Sequence, residues 1–212
     1  MDLSRPEAWA YWKDHYFSPS LTSSLIASVD PAGSGAGRPA LLVSGTIGPA
    51  AASWFRTKLD EAHLAAGDIV LLSSPGGDLN QAVIMGEIIR SRGLATAVGV
   101  ADGSGRIGPS YCASACVLVY AGGKPRLGIE GSVLGVHRFV TTARSSPDRD
   151  PVAETQQTTA MILGYMTKMG VSSAVVQAMS ETSEIRWLGA REASAMNLIT
   201  NPIARPQGPV PR

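Results

Sequence analysis

The chain predicts an α/β protein, a series of βα units packed around a sheet, and three observations predict it. From Ala40 onward, short apolar runs alternate with longer stretches of helical periodicity, the texture of strands and helices laid in layers. One of the runs, GDIVLLSS (67–74), is continuously apolar, as a strand buried on both faces is. Of 212 residues, 44% are hydrophobic and 17% charged, enough apolar surface for one packed core and too much for a disordered chain.

Residues 1–38 mix Trp, Tyr, Ser and Pro and end in DPAGSGAGRP, which reads as an N-terminal extension and Gly-rich linker. The domain proper is then 39–201. ALLVSGTI (40–47) is a strand. Pro49 suits the first turn of the helix that follows, which Phe55 and Leu59 continue at a spacing of four to about Ala66. GDIVLLSS is the next strand, ending in a tight loop at Pro75-Gly76-Gly77-Asp78. Asp78 is a helix N-cap, and Leu79, Ala82, Val83, Gly86, Ile88 and Ile89 line one side of a helix closing near Gly93. After the strand at 94–101, DGSGRIGPS (102–110) is loop, and YCASACVLVYAGG (111–123) starts with small residues that fit a close-packed helix N-terminus. SVLGVHRFV (132–140) is a strand and TTARSSPDRDP (141–151) an exposed loop. Helices follow at 152–170 and from Ser172 to about Met179, with a helix and short strand at 187–200 and a Pro-rich tail at 202–212.

Composition also excludes. A net charge of +1 with no Lys/Arg cluster argues against a nucleic-acid partner, which needs cations gathered on one face. No apolar run reaches the roughly 20 residues of a membrane-spanning helix. The opening MDLSRPEAWAYWKDHYF has no apolar core of a signal peptide, so the chain as written reads as cytoplasmic. A chain trimmed of its leader would read the same, which leaves a periplasmic or membrane-associated location open. Thiol or imidazole chemistry has five places to occur, Cys112, Cys116, His15, His63 and His137.

The segments that suggest chemistry lie in the middle of the chain. SSPGGDL ends a buried strand with backbone N–H groups that a carbonyl oxygen could approach, the makings of an oxyanion hole. Ser114, within CASAC, lies near a helix start where free N–H groups stabilise negative charge. His137, 23 residues later in an apolar strand, is a candidate base for it. Each alone has a plainer reading, as a turn, a packed serine and a core histidine.

Together, SSPGGDLNQAVIMGEIIR, CASACVLVYAGGKPRL and GSVLGVHRF resemble the successive signatures of the ClpP serine-peptidase superfamily. The resemblance covers about residues 40–200, and CASAC is most similar to the bacterial ClpP-like proteins rather than to the housekeeping protease. It implies a ClpP/crotonase-type spiral of βα units with a helical extension, no cofactor, and hydrolysis of a peptide or protein substrate. It implies Ser114 as nucleophile, His137 as general base, and the N–H groups of Gly77 and Ala115 as the oxyanion hole. Extended backbone at Gly76, Asp78 and Leu79 on one side, and at Arg138 and Phe139 on the other, would flank the substrate as an added strand. It further implies a homo-oligomer, with the 152–170 helix and its Met161, Met166 and Met169 as an adaptable apolar face, and leaves a regulatory partner unknown.

The acid is where the chain departs from the family. Aligned on WLGAREA, the acid's position falls on Ile185. Glu184 is the neighbouring candidate, and Ser183 or a backbone carbonyl are alternatives for orienting the imidazole. Three other readings compete. Cys112 and Cys116 with His137 could ligate zinc but lack a fourth ligand. Lys124 could serve as base in a Ser–Lys dyad. A catalytically silent assembly or peptide-binding module would keep the fold without turnover. The two cysteines, placed within one helical turn, converge poorly and are expected as buried free thiols.

Overall fold

The structure, a computed structural model, describes residues 20–31, 37–139 and 150–202. The aromatic-rich residues 1–19, part of the linker, the loop 140–149 and the tail from 203 lie outside the described residues.

The described chain orders as β1 (Leu21–Val29), β2 (Arg38–Ile47), α1 (Ala51–Ala62), β3 (Ile69–Gly77), α2 (Leu79–Ser91), β4 (Ala95–Val98), β5 (Val100–Ala101), β6 (Ile107–Gly108), β7 (Tyr111–Ala113) and α3 (Cys116–Ala121). Then come β8 (Arg126–Gly128), β9 (Val133–Val136), α4 (Pro151–Lys168), α5 (Ala174–Ser180), β10 (Arg186–Leu188), α6 (Ala190–Ala195) and β11 (Asn201–Pro202). Nine strands form one curled mixed sheet in the order β10-β9-β7-β3-β4-β8-β11, with β2 and β1 attached beside β3; β5 and β6 make a separate hairpin. The pairs around β3 are parallel, while β1 on β2 and β10 on β9 are antiparallel.

The strand β3 organises this arrangement. Ile69 to Leu72 are all buried, because Val70 and Leu72 face the helices while Ile69 and Leu71 face a smaller cluster with Val29, Ala40, Ala95 and Ala97 on the other side. Along its first half β3 pairs with β2 and β4; at Ser74 its partner becomes Cys112 of β7. That change of neighbour brings the end of β3 beside the end of β7.

Several boundaries differ from the sequence expectation. Leu21–Val29, inside the stretch read as an extension, is an edge strand whose Leu21 and Val29 are buried. Its alternation is broken by serines and threonine, which hid it. β3 continues through the Pro-Gly-Gly segment instead of stopping before it. Tyr111–Ala113 is strand, not the start of a helix. α1 ends at Ala62, with His63 in the left-handed conformation as its cap.

The methionines expected to form an assembly face do not. Met166 and Met169 are buried in the chain's own core and Met161 packs against it, since α4 lies on α5 and on the helices behind the sheet. Tyr165 of the same helix donates to Leu118 O at 2.7 Å, and burial pushes its phenol pKa up. Its hydroxyl occupies the space a side chain at Gly86 would fill. Among the described residues, no helix is long and apolar enough to cross a membrane.

Candidate active site

Ser114 occupies a sharp strand-to-helix elbow. β7 ends at Ala113, Ser114 takes φ 56°, and α3 starts at Cys116. The left-handed region costs a non-glycine residue about 1–2 kcal/mol, so the surroundings must hold it there. The Ser114 N–H donates to Gly135 O at 2.8 Å and its carbonyl accepts from Val117 N–H at 3.0 Å. A Cys112–Cys116 disulfide spans the turn.

That disulfide corrects the expectation of free thiols. Cys112 belongs to β7 and Cys116 opens α3, and the elbow between them folds their Cα atoms to 5.3 Å, within the separation a disulfide bridges. Bonded to each other, the sulfurs are not thiolates, so the zinc reading loses two of its three ligands.

β9 supplies the other half of the site. Gly135 O anchors Ser114, and His137, two residues on and so on the same face of the strand, places Nε2 2.8 Å from Ser114 Oγ. Both side chains are half-buried. The far nitrogen, Nδ1, lies 2.7 Å from Arg138 O. A carbonyl only accepts, so Nδ1 carries a proton, and of the two neutral tautomers this contact selects the one that leaves Nε2 as acceptor for the serine hydroxyl. This is the tautomer a general base requires.

The acid's position is apolar in space as well as in sequence. β10 runs antiparallel to β9 with Arg186 opposite Val136, and continuing that register by one residue sets Ile185 opposite His137. Glu184 is exposed, with its N–H and C=O both bonded to Thr182 Oγ1. Among the hydrogen bonds of the described residues, none joins Glu184 to His137. Lys124 is exposed in the turn before β8.

The glycine turn meets the elbow. Gly76 adopts φ 100°, and a Cβ there would fall 2.8 Å from Ser114 Cβ and 2.9 Å from Ala115 N, so only glycine permits the approach. Gly77 follows with φ 141° at the end of β3. Asp78 is still extended, at φ −64° and ψ 120°, and its N–H donates to Ile47 O at 2.8 Å, whereas Leu79 does not continue the edge. The Asp78 carboxylate accepts from Gln81 N–H at 2.9 Å as the N-cap of α2, and Leu79 is the first helical residue. The extended backbone beside Ser114 is therefore shorter than the sequence suggests. On the other side, Arg138 N–H donates to Thr182 O at 2.8 Å, and the Phe139 ring centroid is 6.3 Å from that of His137.

A pocket of about 230 Å³ opens beside these residues, lined by Arg138, Phe139, Thr159, Ile162, Val176 and Met179 among others. Small-molecule sites are usually about 300–1,000 Å³, so this volume suits a single side chain better than a cofactor. α4 and α5 form its floor. Sequence reasoning missed the pocket, the Gly135 anchor and the Arg138 carbonyl. Of these only Gly135 left a signal, a glycine inside an apolar strand marking close backbone approach.

No family model and no curated protein matches the chain. Among solved structures, ClpP1 from Listeria monocytogenes superposes with a TM-score of 0.59 at 14% identity, covering 78% of this chain and 91% of that one. A point mutant of the same protein gives a TM-score of 0.59 and 14% identity over 79% and 92%. The fold resembles that of ClpP. At this identity the likeness is one of architecture, and any reading of chemistry has to come from the chain's own Ser114–His137 pair.

Proposed function

We propose that the chain is a serine hydrolase that cleaves peptide bonds through an acyl-enzyme on Ser114. The observation that carries this is the 2.8 Å contact between His137 Nε2 and Ser114 Oγ at a left-handed elbow. Ser114 Oγ attacks the scissile carbonyl carbon while His137 Nε2 takes its proton. The N–H groups of Gly77 and Ala115 receive the oxyanion. The C–N bond then breaks, His137 returns the proton to the departing amine, and water, activated by the same imidazole, hydrolyses the ester and restores Ser114.

The substrate is an extended peptide lying between Gly76–Gly77 and Arg138–Phe139, with one apolar side chain in the pocket over Ile162 and Met179. A fluorophosphonate probe tests the reading. It should label the folded protein at Ser114 at neutral pH, and Ser114→Ala should abolish labelling. Absence of labelling in the folded protein would overturn it.

A second reading, a silent ClpP-like peptide-binding or assembly module, draws support from Ile185, which leaves His137 without a carboxylate. Ile185→Asp separates the two. In a working dyad the new acid replaces Arg138 O behind Nδ1 and raises the labelling rate roughly ten- to a hundredfold, a fraction of the ~10⁴ the acid supplies in a full triad. A silent site gives no rate to raise, and Ser114→Ala would then leave peptide binding intact.

The buried disulfide favours an oxidising compartment over the cytoplasm, where such bonds are rare. Assembly into a homo-oligomer, if α4 takes part, would use its exposed Val152 and Leu163 rather than the buried methionines.

A further inference from the structure

We infer that the Cys112–Cys116 disulfide is a positioning device for Ser114, so that the oxidised chain is the competent hydrolase and the dithiol form is slow. This rests on the hydrolase reading above and deepens it by assigning two positioning residues and a redox dependence to the same site.

The cross-link is centred on the nucleophile. In Cys-Ala-Ser-Ala-Cys each sulfur-bearing residue lies two positions from Ser114, one on β7 and one on α3. Stabilisation of a whole chain by a disulfide grows with the loop it closes, and a separation of four residues is among the smallest available. Global stability is therefore a weak reason for this bond. What it does constrain is local, the elbow itself, where a non-glycine residue holds φ 56°.

Without the bond, the elbow is held by the pairing of β7 with β3 and β9, by the backbone hydrogen bonds of Ser114 and Ala115 to Gly135, Val117 and Leu118, by the Ser114–His137 contact and by the packing of Gly76, none of which ties residue 112 directly to residue 116. Reduction also pushes against it. Bonded sulfurs sit closer than contact distance, whereas non-bonded atoms need roughly 3.5–4 Å. Both cysteines are fully buried in the main core, which packs too densely to absorb that change. The displacement falls on the end of β7 and the start of α3, the two segments that aim Ser114 Oγ at His137. A misplacement of about 1 Å costs on the order of a hundredfold in rate.

The step balances with a dithiol reductant. Its thiolate attacks one sulfur, a mixed disulfide forms and resolves, and two electrons and two protons leave the reductant as its own disulfide, giving Cys112 and Cys116 as thiols. Burial of both sulfurs means the reaction proceeds through a local opening of the elbow, so the oxidised state persists in the folded chain and is reset slowly.

The test compares oxidised protein with protein reduced by dithiothreitol, the reduced sample verified by its mass gain of two hydrogens, and with the cross-link-free variant Cys112→Ala combined with Cys116→Ala. Peptide kcat and KM are measured on each, with imidazole ¹⁵N NMR of His137 as a readout that needs no turnover. We expect kcat to fall roughly tenfold or more with KM unchanged, thermal unfolding to stay cooperative, and the His137 Nε2 resonance to move while the rest of the spectrum stays. Equal kcat and an unmoved Nε2 resonance in all three samples would overturn the proposal, as would kcat, KM and folding lost together. Should no sample turn over or label with fluorophosphonate, the hydrolase reading fails, and the Nε2 resonance still decides whether the disulfide positions Ser114.

Discussion

Replacing His137 with alanine is expected to slow acylation of Ser114 by roughly 10²–10⁴-fold, the usual contribution of a general base. A complete triad loses more, about 10⁶ in kcat, when its serine or histidine is removed. The smaller figure applies because of what stands behind the ring. Arg138 O, 2.7 Å from Nδ1, fixes the tautomer as an acid would, but a carbonyl dipole stabilises the imidazolium formed during attack less than a carboxylate does. A dyad so oriented would start slower than a triad, so there would be less to lose. Fluorophosphonate labelling rate and peptide kcat measure the loss. The urea midpoint should move much less than the rate, by about 1 kcal/mol of stability, since His137 is half-buried and gives up only two hydrogen bonds. A variant that labels at the parental rate would remove His137 from the mechanism.

How much of this was legible beforehand depends on the range of the interaction involved. The buried strand at β3, the Asp78 cap and the helix behind it follow from local pattern, because apolar periodicity and capping act over a few residues. The Ser114–His137 pairing was readable only through the order of three motifs, and the distance itself comes from β7 and β9 being adjacent, which no local signal states. The disulfide was misread for a specific reason. A spacing of four implies one turn of helix, and the left-handed residue between the cysteines, which changes their geometry, has no signature in a serine. Leu79 was misplaced by the reverse error, since Asp78 was recognised as a cap yet the residue after it was still read as extended. The Arg138 carbonyl as orienting group was foreseen only as a class, because any residue carries a carbonyl.

The largest stability effect should come from a residue outside the site, Arg126. It is 3% exposed, and its guanidinium donates to Leu198 O at 2.8 Å, Asn197 O at 2.7 Å and Met169 O at 3.0 Å, with longer contacts to Ala121 O and Gly123 O. Burial lowers its pKa, and the neighbouring charge of Arg90 lowers it further. The acceptors explain why a buried cation is tolerated. Ala121 ends α3 and Met169 caps α4, so the guanidinium sits among carbonyls at the negative ends of two helices.

Arg126→Met keeps the unbranched apolar stem of the side chain and removes every donor. Arg90 still serves Ala121 O and Met169 O, which leaves the Leu198 and Asn197 carbonyls, and the more distant Gly123 carbonyl, without the guanidinium, each close contact costing about 1–3 kcal/mol if buried unpaired. The expected loss is about 3–5 kcal/mol, comparable to breaking a buried ion pair by removing one partner and a large share of the 5–15 kcal/mol that holds a domain together. It should appear as a lower urea midpoint with an unchanged slope. Arg126→Lys should fall between, because one ammonium has three donors and cannot span acceptors on three elements. The two functions of the scaffold then separate. Ser114 and His137 are set by β7 and β9, so kcat of the folded Arg126→Met protein should hold. The pocket floor is set by α4, whose C-terminal end loses one of the two guanidinium donors on Met169 O, so the penalty on catalysis should fall on KM. A midpoint equal to the parent's would mean that the carbonyls find other donors, and that α3 and α4 are held by their apolar faces alone.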